Sequence, residues 1–131
     1  MKKTLVIGAS TNESRYSNVA IQMLVKQNKD VVAIGLKKGT VAGIQIESKK
    51  VPFKDIDTIT LYVSPKNQPS YYDYILSLQP NRVIFNPGTE NPELYKILKE
   101  AAIKVEIACT LVLLSTNQYE SQKGDESING E

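Results

Sequence analysis

Leu5, Val6 and Ile7 form an unbroken apolar run that stops at Gly8. Apolar at every position, such a run suits a strand covered on both faces, as in a parallel sheet. Val19, Ala20, Met23 and Leu24 then recur at helical spacing, which predicts a helix with Ser17 or Asn18 as its cap. A second apolar strand covers residues 30–35, with Val31, Val32, Ala33 and Ile34 as its body. Gly39 and Gly43 are expected to flank a turn, and Ile44-Gln45-Ile46 alternates like a short edge strand. Residues 58–63, rich in β-branched and aromatic side chains, read as the third main strand, stopped by Ser64-Pro65. Pro69 opens a helix whose apolar positions are Tyr71, Tyr74, Ile75 and Leu78, and Gln79-Pro80-Asn81 breaks it. Residues 82–85 form a fourth strand that ends at Asn86-Pro87-Gly88. Asn91 caps a helix that carries Leu94, Ile97, Leu98 and Ala101 inward. Residues 105–107 complete the set as a fifth strand, and residues 110–114 form a last short helix.

Five strands separated by helices predict an α/β fold in one domain, with a doubly wound, parallel, five-stranded sheet. Ligands of such sheets sit at the carboxyl ends of the strands, at the switch point beside the first strand. The loops to watch are therefore residues 8–17, 35–43, 64–68, 86–91 and 108–110.

At 131 residues the chain has room for one substantial core. Its body is expected to span residues 1–116. Residues 117–131 are polar and carry four acids against one lysine, a charge of −3, so they are expected to be a disordered tail. The net charge of +2 then leaves +5 for the body. That is modest, and the lysines are not interleaved with aromatics, so nucleic acid is not an expected partner. No apolar run approaches the ~20 residues needed to cross a bilayer. Met1-Lys2-Lys3 leads directly into a strand rather than into a signal sequence, and the expected address is the cytoplasm. One cysteine, Cys109, cannot form an internal disulfide. The absence of histidine excludes histidine-containing metal sites, Ser-His and Cys-His nucleophile pairs, and a phosphohistidine intermediate.

Two loops carry the chemistry. Gly8 at the end of the first strand, followed by a helix start, places unpaired N–H groups and a positive dipole end beside Gly8, Ala9 and Ser10. This is an anion site in form. The three-glycine dinucleotide fingerprint is absent, however, and a lone glycine turn also fits a purely structural role. Behind the second strand, Gly35-Leu36-Lys37-Lys38-Gly39 holds two cations where an NAD site places an acid for the ribose. Ammonium groups there suit a ribose with an extra phosphate, the 3′-phosphate of coenzyme A or the 2′-phosphate of NADP. A solvated turn is the plain alternative.

Taken together, Gly8-Ala9-Ser10, Arg15-Tyr16-Ser17-Asn18, Lys37-Lys38-Gly39 with Gly43, Ser64-Pro65, the 86–91 loop and Cys109 resemble the small stand-alone coenzyme A-binding proteins of bacteria and archaea. Those proteins are related to the CoA-binding domain of the succinyl-CoA synthetase alpha subunit. The resemblance covers residues 3–115 and implies a Rossmann-like domain with coenzyme A across the strand ends. Gly8, Ala9 and Ser10 would hold the pyrophosphate, with Arg15, Tyr16 and Ser17 nearby. Lys37 and Lys38 would face the phosphorylated ribose, Ser64 and Pro65 would border the adenine, and the loop with Asn86 and Gly88 would line the pantetheine path. In many relatives Asn-Pro precedes the lysine of the second loop, whereas this chain has Gly35-Leu36.

Cys109 lies in an apolar neighbourhood that suits a buried thiol, although a thiol beside that of coenzyme A could form a mixed disulfide. Glu90 could face a bound acyl group, and it equally suits the positive end of the following helix. Tyr71, Tyr72 and Tyr74 read as packing residues. The expected function is binding of coenzyme A or an acyl-CoA by a module with no evident catalytic machinery. The rivals are an NADP-dependent oxidoreductase or nucleotide-sensing domain, and a ligand-free interaction domain such as a homodimer.

Overall fold

The computed structural model describes residues 2–120. Its elements are β1 (Lys3–Ala9), α1 (Tyr16–Lys26), β2 (Asp30–Gly35), β3 (Gly39–Val41), β4 (Ile44–Glu47), β5 (Ile56–Leu61), α2 (Tyr72–Leu78), β6 (Arg82–Phe85), α3 (Pro92–Glu100), β7 (Lys104–Ile107) and α4 (Thr110–Ser115). Short 3₁₀ turns occupy Pro65–Asn67 and Pro69–Tyr71.

The strands form one sheet in the order β3-β4-β2-β1-β5-β6-β7. Every neighbouring pair is parallel except β3 with β4. The five expected strands are present as the parallel body, and the sheet has seven strands rather than five. The two additional strands are β3 and β4. The segment expected as an edge strand is β4, but Gly39–Val41, expected as a turn, pairs outside it as the true edge. The reason is a two-residue connection, Ala42-Gly43, with φ of 50° and 81°. Positive φ at both central residues matches the twist of paired strands and closes a tight hairpin. Three residues are too few to show a period, and Ala-Gly is a weaker hairpin signal than Asn-Gly.

Alternation along the central strands distributes the core to both faces. Leu5, Ile7, Ile59, Leu61 and Phe85 pack with Ile75 of α2 and with Leu94 and Leu98 of α3. Val6, Ala33, Ile46 and Ile84 pack on the other face with Ile21 and Leu24 of α1 and with Leu113 and Leu114 of α4. This is the doubly wound, Rossmann-like arrangement. Among the described residues, no helix is long and apolar enough to cross a membrane.

Local details differ from the sequence reading in three places. The residue before α1 is Arg15, which makes no side-chain cap, while Ser17 and Asn18 lie inside the helix and are buried. Asn18 instead donates through Nδ2 to the Ser10 carbonyl at 2.9 Å, so its amide serves the preceding loop. Pro69 opens a 3₁₀ turn, and the α-helix itself starts three residues later at Tyr72. At the carboxyl terminus, packed structure continues beyond residue 116. Tyr119 is 4% exposed and shares a 2.6 Å hydrogen bond with Thr4, and its ring lies 4.7 Å from the Arg82 guanidinium. The remainder of the expected tail, residues 121–131, lies outside the described residues. Asn91 caps α3 as its sequence suggests, accepting from the Leu94 amide at 3.4 Å.

Candidate functional site

Because β1, β2, β5, β6 and β7 run parallel, the loops that follow them all emerge at one edge of the sheet. Strand β1 lies between β2 and β5, and the chain leaves it in opposite directions across the sheet. The switch point is thus at the carboxyl end of β1, between the loop after Ala9 and the loop after Leu61.

Gly8 adopts φ of +95°, and a Cβ there would stand 2.6 Å from the Tyr62 carbonyl oxygen. The glycine is therefore required for close approach of β1 to the chain leaving β5. Gly35 shows the same logic, since its Cβ would run into the Ala9 carbonyl oxygen. Beyond Gly8 the loop is held by its own bonds. Ser10 Oγ accepts from the Asn12 amide at 3.0 Å, and Asn12 Oδ1 accepts from Ser14 N at 3.0 Å and Ser14 Oγ at 2.8 Å. An Asx turn of this kind shapes the segment before any ligand arrives. Arg15 and Tyr16 are exposed at its end, Tyr16 by 72%, whereas Ala9 and Ser17 are buried.

The second loop packs directly on the first. A Cβ on Gly39 would overlap the Thr11 methyl group, so the backbone at Gly39 passes against Thr11. Lys37 and Lys38 precede that contact and are exposed, as is Leu36 at 90%. Among the described residues neither lysine is in an ion pair. Beside this junction lies a cleft of about 260 Å³ bordered by Thr11, Glu13, Asn18, Gln22, Thr40, Val41 and Ala42. Two lysines and Arg15 make this part of the edge cationic.

The third and fourth loops are joined by buried amides. Asn86 is 2% exposed. Its Nδ2 donates to Thr60 Oγ1 at 2.8 Å and to the Leu61 carbonyl at 2.9 Å, while its Oδ1 accepts from Thr110 N at 2.8 Å. That side chain ties the ends of β5 and β6 to the start of α4 and is not presented to solvent. Ser64 and Pro65 are exposed, and Ser64 Oγ accepts from Asn67 Nδ2 at 3.1 Å. Gly88 is exposed with φ of +93°, and its amide donates to Glu90 Oε1 at 2.9 Å. Glu90 therefore closes the turn. Gln68, which sequence reading did not select, is 1% exposed and bonds to both loops. Two of its partners, Thr89 and Asn91, lie more than 20 residues away along the chain, and no local pattern announces them. Cys109 is half-buried just before α4. Burial pushes the nearby Tyr62 phenol up to about 12, which keeps it neutral at physiological pH.

Gly8, Ala9, Ser10, Arg15, Tyr16, Lys37, Lys38, Ser64, Pro65 and Gly88 thus all belong to loops or strand ends of one edge. Ser17 and Asn86 share that edge as buried supports. What the edge offers a ligand is backbone amides, hydroxyls and cations, the donor set of a phosphate-rich molecule.

Proteins of known structure share this fold. The chain is 48% identical to an uncharacterized protein of known crystal structure, with a TM-score of 0.87 over 90% of this chain and 98% of that one. A Thermus thermophilus protein is 23% identical, with a TM-score of 0.79 over 89% of this chain and 90% of that one. A dinucleotide-forming acetyl-coenzyme A synthetase from Ca. Korarchaeum cryptofilum is 18% identical, with a TM-score of 0.64 over 79% of this chain and 25% of the synthetase chain. No curated protein matches significantly. The model of one family, described as the CoA binding domain, matches residues 2–115. Because that match spans nearly the whole described body, the chain belongs to the CoA-binding domain family.

Proposed function

We propose that this chain binds coenzyme A, or an acyl-CoA, across the carboxyl edge of its sheet as a binding module. The pyrophosphate would rest on Gly8, Ala9 and Ser10 at the start of α1, with Arg15 and Tyr16 at the lip. The 3′-phosphate would meet Lys37 and Lys38. Ser64 and Pro65 would border the adenine, and the pantetheine arm would pass Gly88. Asn86 would serve through the loop it fixes rather than through its occupied amide. The observation that carries this reading is the packing of Gly39 on Thr11, which sets the lysine loop against the pyrophosphate loop. Coenzyme A carries its pyrophosphate and 3′-phosphate on one ribose, so its two anionic groups need two adjoining cation or amide sites. The likeness to a quarter of an acetyl-coenzyme A synthetase fits this reading.

Thermal unfolding with coenzyme A, acetyl-CoA, NADP and NAD tests it. Coenzyme A at 100 times its dissociation constant is expected to stabilise the fold by about 2.7 kcal/mol, a rise of several degrees in Tm. A Tm raised by NADP and unmoved by coenzyme A would overturn the reading in favour of an NADP domain.

The phosphate assignment has its own test. Replacing both lysines, Lys37→Ala with Lys38→Ala, is expected to weaken coenzyme A about tenfold, the scale of one charge-assisted contact. Dephospho-CoA, which lacks the 3′-phosphate, should change much less. Equal losses for both ligands, measured by titration calorimetry, would remove the two lysines from that role.

A further inference from the structure

We propose that Gln68 is a positioning residue for a ligand that spans adenine and pantetheine, acting by holding the adenine loop and the pantetheine loop at a fixed separation. The inference rests on the coenzyme A reading above. Pairing of β5 with β6 ends at Leu61↔Phe85. Past that point the chains diverge into the loops that carry Ser64-Pro65 and Asn86-Gly88, and side-chain amides bridge them. Asn86 spans the base of the gap. Farther out, Gln68 Nε2 donates to the Val63 carbonyl at 2.8 Å and to the Thr89 carbonyl at 2.7 Å. Val63 directly precedes Ser64, and Thr89 directly follows Gly88. One amide therefore grips each loop next to its exposed residues.

The grip is itself braced. Gln68 Oε1 accepts from Asn91 Nδ2 at 2.8 Å, and the same Asn91 nitrogen donates to Tyr72 Oη at 2.9 Å. Tyr72 in turn donates to Glu93 Oε1 at 2.8 Å. Gln68 is 1% exposed, Thr89 5% and Asn91 8%, so water offers these groups little alternative. Both donors and an acceptor of Gln68 are in use, and glutamate, which has no N–H, cannot replace them. A satisfied buried network of this kind imposes one geometry, and a partly satisfied one releases it. Loops so released must be reordered when the ligand binds, and that cost appears as lost affinity.

The experiment compares Gln68→Glu and Gln68→Met with wild type by calorimetric titration of two ligands, coenzyme A and adenosine 3′,5′-bisphosphate, which lacks the pantetheine arm. Coenzyme A spans both gripped loops, so its affinity is expected to fall about tenfold, the scale of one or two lost buried hydrogen bonds, while the bisphosphate, which meets only the adenine loop, falls by about threefold or less. Equal losses for both ligands, or no loss for coenzyme A, overturn the inference. Hydrogen exchange on the wild-type protein gives a second measurement that requires no stable variant. Both ligands should slow exchange in residues 62–68, coenzyme A alone should also slow it in residues 86–91, and identical protection of residues 86–91 by both ligands overturns the inference. Wild-type protein that binds no coenzyme A overturns the reading beneath it, a result distinct from either of these.

Discussion

Arg82→Ala is expected to destabilise the protein by about 3–5 kcal/mol, the range for breaking a buried ion pair from one side. Arg82 stands at the start of β6, 8% exposed, on the edge of the sheet opposite the ligand loops. Its Nη1 donates to Glu106 Oε1 at 2.9 Å and to the Tyr119 carbonyl at 3.1 Å, and its Nε donates to Thr58 Oγ1 at 3.1 Å. The guanidinium also stacks on the Tyr119 ring. Truncation leaves the Glu106 carboxylate, whose side chain is 11% exposed, without its counter-charge, and it removes the anchor of Tyr119. A paired replacement, Arg82→Met with Glu106→Met, leaves no orphaned charge and is expected to cost much less. Urea unfolding of both variants checks this. A loss below about 1 kcal/mol for Arg82→Ala would class the pair with ordinary surface ion pairs and refute its buried role.

Gly8→Ala is expected to cost about 3 kcal/mol, although the residue lies in the proposed pyrophosphate loop. Two terms add. Positive φ costs a residue with a Cβ roughly 1–2 kcal/mol. Forcing the backbone apart where the new methyl would meet the Tyr62 carbonyl oxygen at 2.6 Å costs a further ~1–3 kcal/mol, as overpacking does elsewhere. Gly88→Ala is the matched control. Its φ is +93°, yet nothing lies within 4 Å of its added Cβ, so only the first term applies. Denaturant unfolding without ligand should therefore separate the two variants by at least 1 kcal/mol. Equal losses would show that the approach of β1 to Tyr62 imposes no steric demand. The consequence for function is practical. Lost ligand binding in a Gly8 variant has to be judged against its lost stability before it is assigned to the site.

Much of the architecture is legible in short-range pattern. Continuous apolar runs at Leu5-Val6-Ile7 and at Val31 to Ile34 can be covered only when helices pack on both faces, and they lie in the centre of a parallel sheet. The start of α3 is equally local, because an Asn-Pro pair before a helix supplies both a cap and a fixed φ. Other features depend on partners remote in sequence. Asn18 looks like a cap until Ser10 is beside it, and Tyr119 looks like part of a polar tail until Thr4 and Arg82 surround it. Asn86 was readable as a ligand contact because its loop position suggests one. Only the approach of Thr60, Leu61 and Thr110 shows that its amide is already occupied.

By itself the sequence determined the α/β class, the five parallel strands, the family resemblance and the pairing of a glycine turn with two lysines behind the second strand. These follow from periodicity, turn chemistry and charge, which act over a few residues. Tertiary structure alone decided that Gly8 answers to Tyr62, that Gly39 seats the lysine loop on Thr11, that β3 closes the sheet, and that Gln68 joins two loops. Each of these is a contact between chain segments brought together by packing, and such contacts depend on where backbones meet rather than on any local preference.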